Sequence, residues 1–436
     1  MKKTVVCCLL FLIVLSILIL SGCQNSKETK TDDESTARET ETNPAESTAR
    51  ETETNPAEST VPETPNEDTK TNLITNFSVS AFKECYDENN TLLSPISIMY
   101  ALTMTANGAD GNTLAEMEKV LGNTTGELNA KLKVFSEKLP QGDKFSVQIA
   151  NSIWFKDNDS FSVSENFLNT NKEYYGAEVY RSSFDKKTID QMNEWVKEKT
   201  KGMIPEIVKD LSPSLVMCLL NTVAFEAEWA KPYDGTYSVR KEVFTTADNK
   251  SQECDFLFST EDTYIKDENS VGVVKYYNGY NYAFVAILPD ESTSLSEYVS
   301  NLTGDKINNM LNNTKNGIVH TRLPKFEIEY SITANEVLKN MGMIDAFDSG
   351  KADFSKIGSS SDGNIYISNI LHKTYIAVTE KGTKAGAVTS VFLDAEMSNP
   401  TQTEIINVYL DRPFLYMIIE CDSNTPLFIG AVNSIE

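Results

Sequence analysis

Residues His372–Ala387 read HKTYIAVTEKGTKAGA, and they place a strand directly before a loop that keeps the pattern of a strand. In the strand, apolar and polar side chains alternate up to Val378, as they do in a half-buried β-strand. The charged residues before Gly382, and Gly382 itself, should end that strand. Beyond Gly382 the alternation returns, and the side chains of one face are all small or apolar: Thr383, Ala385, Ala387, Thr389 and Val391. Such a face can enter the middle of a β-sheet without burying a charge.

The opposite face of this loop carries Lys384 as its only charge, which can stay in solvent. A loop that can also become a strand would act as a conformational switch. Short runs of Ala, Gly and Thr also occur in ordinary loops, so the pattern alone leaves that alternative open.

Predicted strands become more frequent towards the C-terminus, whereas predicted helices cluster nearer the N-terminus. A capping box at Thr113–Glu116 predicts a helix that ends at Gly122, and apolar spacing predicts a second one through Leu128 and Leu139, stopped by Pro140. Alternation or continuous apolar runs predict the strands Phe145–Phe155, Val216–Phe225 and Tyr282–Leu288, and a hairpin of Leu415–Glu420 with Leu427–Val432. This order indicates an α+β fold rather than alternating βαβ units.

Asn151 and His372 are polar residues on the apolar faces of predicted strands. A single Asn or His in such a stripe is more often a hydrogen-bonded core residue than a catalyst. From the residues alone, we therefore interpret both as core residues.

An enzymatic function has little support in this sequence. The chain has two histidines, His320 and His372, and neither accompanies a G-x-S-x-G or H-E-x-x-H motif. The cluster at Asp157–Asp159 lacks the spaced carboxylates, glycine and terminal glutamate of a calcium loop, so we interpret it as a turn. No cofactor and no metal are expected. A net charge of −24 and the lack of a basic stripe argue against nucleic acid as a partner.

The N-terminus resembles a secretory signal with a bacterial lipoprotein cleavage box. Two lysines precede an apolar run that meets Leu20, Ser21, Gly22 and Cys23. Residues 1–22 are therefore predicted to be a signal peptide, and Cys23 is predicted to carry a lipid. The alternative is an ordinary transmembrane anchor, since the run is nearly long enough for a thinned bilayer. The protein is accordingly expected to be exported and lipid-anchored at the bacterial cell surface or in the extracytoplasmic space.

Residues 23–70 are predicted to be a disordered tether between the lipid and the main domain. The unit ESTARETETNPA occurs twice, at Glu34–Ala45 and Glu46–Ala57, and residues 24–70 hold 13 acidic and 5 basic side chains. This composition has too little apolar surface to offset chain entropy. Residues 71–436 show no second break of this kind and are expected to form one domain.

Four cysteines remain once the predicted signal and lipidation site are set aside: Cys85, Cys218, Cys254 and Cys421. Their wide spacing favours buried free thiols, although a disulfide stays possible in an exported protein.

The main domain resembles the serpin family of protease inhibitors over Asn72–Val432. Seven ordered blocks carry the resemblance: LLSPISIMYALTMTANGADGNTLAEM (Leu92–Met117), NSIWF (Asn151–Phe155), LLNTVAFEAEWAKPYD (Leu219–Asp234), TRLPKFEIEY (Thr321–Tyr330), the block ending ADF at Phe354, HKTYIAVTEKGTKAGA, and RPFLYMI with PLFIGAV near the end. The resemblance implies three β-sheets, about nine helices and an exposed reactive-centre loop. It also implies a monomer that forms a covalent acyl complex with its target protease. The cleaved loop of the inhibitor then inserts into the inhibitor's largest sheet.

The resemblance assigns roles to particular residues. It places Ser94, Ser97, Asn193 and His372 in the shutter, a polar cluster where the main sheet opens. It places Trp229 at the breach, where insertion begins. The residues matching the loop hinge are Glu380, Gly382, Thr383, Ala385, Gly386, Ala387 and Thr389. Small hinge residues favour an inhibitory member, whereas bulky or charged ones are typical of the alternative, a non-inhibitory serpin acting as a binding or scaffold module.

The family's usual spacing from Glu380 places the scissile bond after Glu396, before Met397. A bond between Met397 and Ser398 is the close alternative, because the following segment looks about six residues longer than in many relatives. No Lys or Arg occurs between Ala385 and Leu410, which disfavours trypsin-like targets. The individual target protease stays open at this point.

Overall fold

A computed structural model describes residues 67–435, except residues 141, 143, 214 and 384–403. The predicted signal peptide, the lipidation site Cys23 and nearly all of the predicted tether lie outside the described residues. So do part of the predicted hinge and all three scissile-bond residues: Ala385, Gly386, Ala387, Thr389, Glu396, Met397 and Ser398.

Nine α-helices occur within the described residues, most of them in the N-terminal half. They are α1 (Glu67–Cys85), α2 (Pro95–Ala106), α3 (Gly111–Leu121), α4 (Thr125–Glu137), α5 (Glu165–Tyr175), α6 (Lys186–Lys199), α7 (Leu295–Ser300), α8 (Gly304–Asn312) and α9 (Asn335–Asn340). Across this described part, no helix has both the length and the apolar character needed to span a bilayer.

The strands, numbered in chain order, form three sheets. A six-stranded sheet has the order β11 (Phe326–Thr333), β13 (Leu371–Val378), β14 (Gly382–Thr383), β5 (Met217–Glu228), β2 (Phe145–Lys156) and β4 (Glu178–Ser182). A nine-stranded sheet has the order β1 (Thr91–Leu93), β17 (Thr425–Val432), β16 (Phe414–Glu420), β9 (Tyr282–Pro289), β8 (Ser270–Tyr276), β7 (Ser251–Lys266), β10 (Lys315–Pro324) and β15 (Ile405–Tyr409), with β6 (Val239–Thr245) also paired to β7. The third sheet pairs β12 (Gly358–Ser360) with β3 (Phe161–Val163). The three-sheet α+β architecture expected from the sequence is confirmed.

Helix α2 lies in the core between the two large sheets. It packs against both β5 and β17, and ten of its twelve residues are buried. An apolar sequence, PISIMYALTMTA, is what allows a helix to be covered on nearly all sides. Its burial fixes Ser94 and Ser97, at its N-terminal end, beneath the six-stranded sheet.

Two local predictions from the sequence are wrong. The capping box at Thr113 does not exist, because α3 begins at Gly111 and Asp110 is its N-cap; the helix does end at Gly122, as expected. Helix α1 begins at Glu67, so the last four residues of the predicted tether are helical. In both cases the element is present and its boundary differs from the one that the local signals indicate.

All four cysteines of the described domain are free. Burial is the main cause that raises the pKa of their thiols, to about 12 for Cys85, Cys218 and Cys421 and to about 11 for Cys254. They therefore stay as thiols at neutral pH, which matches the expectation of structural cysteines.

Candidate functional site

Strand β14 consists of the first two residues of the alternating segment, and it already lies inside the six-stranded sheet. Thr383 is paired with Val378 of β13 on one side and with Ala227 of β5 on the other. Its side chain is only 2% exposed, and its hydroxyl lies 2.5 Å from the Tyr277 hydroxyl. The predicted hinge therefore enters the six-stranded sheet between β13 and β5, whereas the resemblance implied the largest sheet, which in the described residues is the nine-stranded one.

Gly382 approaches the backbone of β5 too closely for any side chain. A Cβ at this position would lie 2.0 Å from the Ala227 carbonyl oxygen and 2.8 Å from the Glu228 Cα. Both atoms belong to the paired backbone of β5, so they cannot move aside without breaking the pairing. The glycine is what lets the chain turn into the sheet.

Trp229, at the end of β5, holds the turn that precedes β14. Its indole N–H donates to the Thr379 carbonyl at 2.8 Å, and its backbone N–H donates to the Lys381 carbonyl at 2.9 Å. Its ring stacks on Tyr277, with centroids 4.5 Å apart. The predicted breach residue is thus in direct contact with the hinge at the point where the sheet begins to open.

A buried ion pair supports this tryptophan. Lys275 Nζ lies 2.6 Å from Glu261 Oε1, and the two side chains are 3% and 7% exposed. The ammonium also lies 4.3 Å from the ring centroid of Tyr233 and 5.4 Å from that of Trp229. Burial lowers the pKa of Lys275, against the opposing effect of the Glu261 charge. This pair was not among the predicted site residues. The lysine inside the apolar run VGVVKYY is the feature of the sequence that indicates a buried charge.

Glu380 forms an ion pair at 2.9 Å with Lys325, the residue between β10 and β11. A hydrogen bond from its own backbone N–H, and then the Lys325 ammonium, lower the pKa of the Glu380 carboxyl. Both side chains are about one third exposed, so the pair lies at the rim of the site rather than in its core.

Below β14 the two strands that flank it separate. No backbone pairing joins β5 to β13 in the part of the chain that the structure describes. At the far end from Trp229, a cavity of about 500 Å³ lies between the first residues of both strands and α2. Its lining is mainly apolar and includes Ile98, Leu102, Met217, Leu219, Ile370 and Leu371. The six-stranded sheet therefore has an opening that continues the line of β14.

A chain of buried polar groups lies beside this cavity. The Ser94 N–H donates to His372 Nε2 at 3.1 Å, and the Ser97 hydroxyl donates to the Asn221 side-chain carbonyl. Asn221 in turn donates to the Asn151 side chain at 2.7 Å. Burial lowers the pKa of His372 to about 4, so the ring is neutral and Nε2 is free to accept.

Asn193 does not belong to this cluster, which corrects the predicted shutter. It lies on α6, where its side-chain oxygen accepts from the N–H groups of Ile207 and Val208 at 3.0 and 2.9 Å. Asn221 is the residue that the structure brings to the cluster instead. It stands directly opposite Asn151 in the β2–β5 register. An asparagine in the apolar run LLNTVAF was the signal that could have identified it.

The structure has three sheets, helices on both faces of the six-stranded sheet, and a hinge strand between β13 and β5. A family model described as "Serpin (serine protease inhibitor)" matches residues 72–435. The chain belongs to the serpin family. The roles of shutter, breach and hinge in loop insertion stay predictions.

Similar proteins come from distant organisms. An uncharacterised serpin-like protein of Thermococcus kodakarensis is 32% identical, over 84% of this chain and 85% of that protein. A leukocyte elastase inhibitor of Xenopus laevis is 30% identical, over 83% of this chain and 98% of that protein. Among solved structures, the thermophilic serpin tengpin in its native state is 46% identical, with a TM-score of 0.79 over 86% of this chain and 96% of that one. Tengpin in its latent state is also 46% identical, with a TM-score of 0.76 over 86% of this chain and all of that one.

Proposed function

We propose that the protein is a single-use inhibitor of extracytoplasmic serine endopeptidases, with cysteine endopeptidases as further candidates. One observation carries the proposal: the hinge has already begun a strand between β13 and β5, and the sheet stays open below it. A segment with the matching one-sided pattern follows directly in the sequence, from Lys384 onwards. The opening and the segment that would fill it are adjacent along the chain.

The proposed mechanism uses the chemistry of the protease and the mechanics of the sheet. The nucleophile of the protease attacks the carbonyl carbon of the scissile bond, the C–N bond breaks, and the new amino terminus leaves with a proton. The inhibitor is then bound as an acyl ester or thioester. The freed segment continues β14 into the opening; about 15 residues at ~3.3 Å each would move the acyl bond by roughly 50 Å. Deacylation by water fails if this displacement distorts the catalytic site before hydrolysis.

The proposed scissile bond follows Glu396, with the bond between Met397 and Ser398 as the alternative. Elastase-like, subtilisin-like, glutamate-preferring and papain-like proteases are compatible with these residues. The name of the Xenopus relative, an elastase inhibitor, is in line with the first of these classes.

The proposed location is the outer face of the membrane, where Cys23 would carry the lipid anchor. A tether of about 47 residues with a coil-like span of ~5–6 Å × √n would hold the domain roughly 40 Å from the surface. Labelled palmitate should then be incorporated into the parent protein and not into a Cys23→Ser variant. A parent protein that incorporates no label would contradict the lipid anchor.

A protease panel tests the proposed function. The Cys23→Ser protein is incubated with proteases of the four classes above, and the products are separated on a denaturing gel. An inhibitor gives a band at the summed mass that survives denaturant. Cleavage by every protease without such a band would favour the other candidate, a non-inhibitory scaffold.

A further inference from the structure

The outward face of the nine-stranded sheet carries two arginines held against aromatic rings. The Arg322 guanidinium lies 4.0 Å from the ring centroid of Tyr409 and 5.7 Å from that of Phe258, both of which are its register partners. The Arg240 guanidinium lies 4.5 Å from the centroid of the same Phe258 ring. We call these four side chains, Arg240, Phe258, Arg322 and Tyr409, the arginine ladder. It crosses β6, β7, β10 and β15.

Neither guanidinium forms an ion pair with a carboxylate of the described residues. Among the carboxylates of the neighbouring strands, Asp255 pairs with Lys241, and Asp262 pairs with Lys231. Glu404 accepts a hydrogen bond from the Tyr264 hydroxyl. Arg240 uses one N–H for the Tyr237 carbonyl, and its side chain is exposed. Within the described residues, the ladder therefore presents two oriented guanidiniums without an ion-pair partner, in a chain whose net charge is −24.

The ladder lies next to the end of the proposed reactive loop. Strand β15 starts at Ile405, one residue after the chain rejoins β10 through the bond from Ile318 N–H to the Glu404 carbonyl. Tyr409 is five residues from Glu404, or roughly 17 Å along the strand. Glu396 is eight residues from Glu404, at most about 29 Å of extended chain. The chain between them therefore limits the separation of the scissile bond and Tyr409 to about 46 Å, which keeps the ladder on the part of the surface that a protease bound at the loop approaches.

We propose that the arginine ladder is a docking surface for an acidic segment on the surface of the target protease. The inference rests on the proposed function and adds a reason for target choice. Guanidiniums bind carboxylates through paired N–H···O bonds, and rings that hold them in place reduce the entropy lost on binding. Charges at the rim of an interface mainly accelerate association. The ladder would therefore select, among proteases able to cut the loop, those with carboxylates beside the active site.

The test compares rates of inhibition for three forms of the Cys23→Ser protein. The first has no further change, the second is Arg240→Gln/Arg322→Gln, and the third is the control Lys119→Gln/Lys187→Gln. The control changes the net charge equally, at exposed lysines on helices α3 and α6. The second-order rate constant of complex formation is measured with each protease inhibited in the panel, at about 0.02 M and 0.5 M salt, where screening is weak and strong. Melting temperatures confirm that all three forms fold alike.

The expected result is a rate about tenfold lower for the arginine variant at low salt, against at least one inhibited protease, and within about twofold of the parent at high salt. The control should match the parent, and the fraction of molecules that end as complex should be unchanged. Equal rates for the parent and the arginine variant with every inhibited protease would overturn the docking surface while leaving the proposed function intact.

Two other outcomes would also overturn the docking surface. If the arginine variant is slower only when polyphosphate is added, the occupant is a polyanion and not the protease. If the parent elutes as a dimer and the arginine variant as a monomer, the occupant is a second copy of the chain. A parent protein that inhibits no protease at all removes the docking surface and the proposed function together.

Discussion

His372 is neutral in the folded protein, and its role as an acceptor depends on that state. The ring accepts from the Ser94 N–H through Nε2, and burial lowers its pKa from 6.5 to about 4. Protonation would replace the acceptor with a donor that faces another donor. The polar cluster beside the cavity therefore weakens in acid.

We expect the free energy of unfolding to fall as the pH drops from about 6.5 to about 4. In that window the unfolded chain binds a proton that the folded chain does not. The loss of unfolding free energy reaches about 3 kcal/mol at pH ~4. Above pH ~6.5 both states are neutral and His372 has no pH effect. The measurement is denaturant unfolding from pH 4 to 8 for the parent and for His372→Gln, which should lose less stability in acid. The control His320→Gln removes the other imidazole, which is exposed. Equal acid sensitivity of the parent and His372→Gln would contradict the view that His372 causes the loss of stability in acid.

Lys275 and Glu261 should stabilise the protein only as a pair. Lys275→Met leaves the Glu261 carboxylate buried without its cation, which costs about 3–5 kcal/mol. Lys275→Met/Glu261→Gln removes both charges and should recover most of that loss. The midpoints of denaturant unfolding decide the question. A single variant as stable as the double one would show that the pair contributes nothing.

Single residues were the least predictable level from the sequence. Asn151 and His372 were recognised as hydrogen-bonded core residues because each interrupts an apolar face. Asn193 was assigned to the same cluster by resemblance alone, and it lies on a helix instead. Nothing in local periodicity says which asparagine faces which strand; that follows from the β2–β5 register, which only the folded sheet defines.

The two residues of strand β14 that the structure describes satisfy two different demands. Gly382 lets the chain pass close to β5, and Thr383 closes the space between β13 and Tyr277. Each can be tested by one substitution that adds atoms where the sheet has no room.

Gly382→Ala should expel β14 from the sheet. The added methyl would meet the Ala227 carbonyl oxygen and the Glu228 Cα, both backbone atoms. Hydrogen exchange at the Trp229 amide, which donates to the Lys381 carbonyl, should become faster, and this is measurable by mass spectrometry. Gly126→Ala is the matched control, since a Cβ there meets nothing within 4 Å. Unchanged protection from hydrogen exchange in Gly382→Ala would mean that β14 can stay in the sheet with a side chain at position 382.

Thr383→Arg should convert the inhibitor into a substrate. The side chain at this position is buried, so insertion would carry a guanidinium between two strands without a partner. On the denaturing gel, the protease should then cut the loop and leave no covalent band. Thr383→Ser keeps the hydroxyl near Tyr277 and should still form the complex. Undiminished complex formation by Thr383→Arg would refute this account of the hinge.

Elements were predicted well where the period was long and clear. Alternation over Phe145–Phe155 indicated most of β2, and the apolar run from Val216 indicated β5. Boundaries were less accurate: α3 takes Asp110 as its cap, three residues before the predicted cap Thr113, and α1 extends into a segment with a linker-like composition. Composition describes the average polarity of a segment, whereas the exact boundary of a helix depends on its individual residues and their contacts.

At the scale of the whole molecule, the proposed insertion between β5 and β13 requires a fold that is not at its lowest free energy. We propose that a kinetic barrier holds this fold until the loop is cut. The resemblance to the serpin family predicted this architecture over almost the whole domain, because seven ordered blocks fix the order of strands that no single block determines.

Cutting the segment between residues 384 and 403 should raise the melting temperature of the parent protein. If the added strand stabilises the sheet by at least about 5 kcal/mol, the rise is at least about 6 °C. Calorimetry of the intact and clipped forms measures it, and clipped Thr383→Arg, which should not insert, is the control. Equal melting of intact and clipped parent would remove the basis of the proposed mechanism.

Strands β16 and β17 lie inside the nine-stranded sheet, although the ribosome makes them last. That sheet cannot close before translation ends, whereas β5, β13 and residues 384–403 are synthesised earlier. For a time, the nascent chain holds the opening and the segment proposed to fill it, but lacks the strands that anchor the segment's far end. The yield of molecules with an uninserted loop therefore depends on two rates. One is the rate at which β16 and β17 are completed and join the nine-stranded sheet, and the other is the rate of premature closure of the opening.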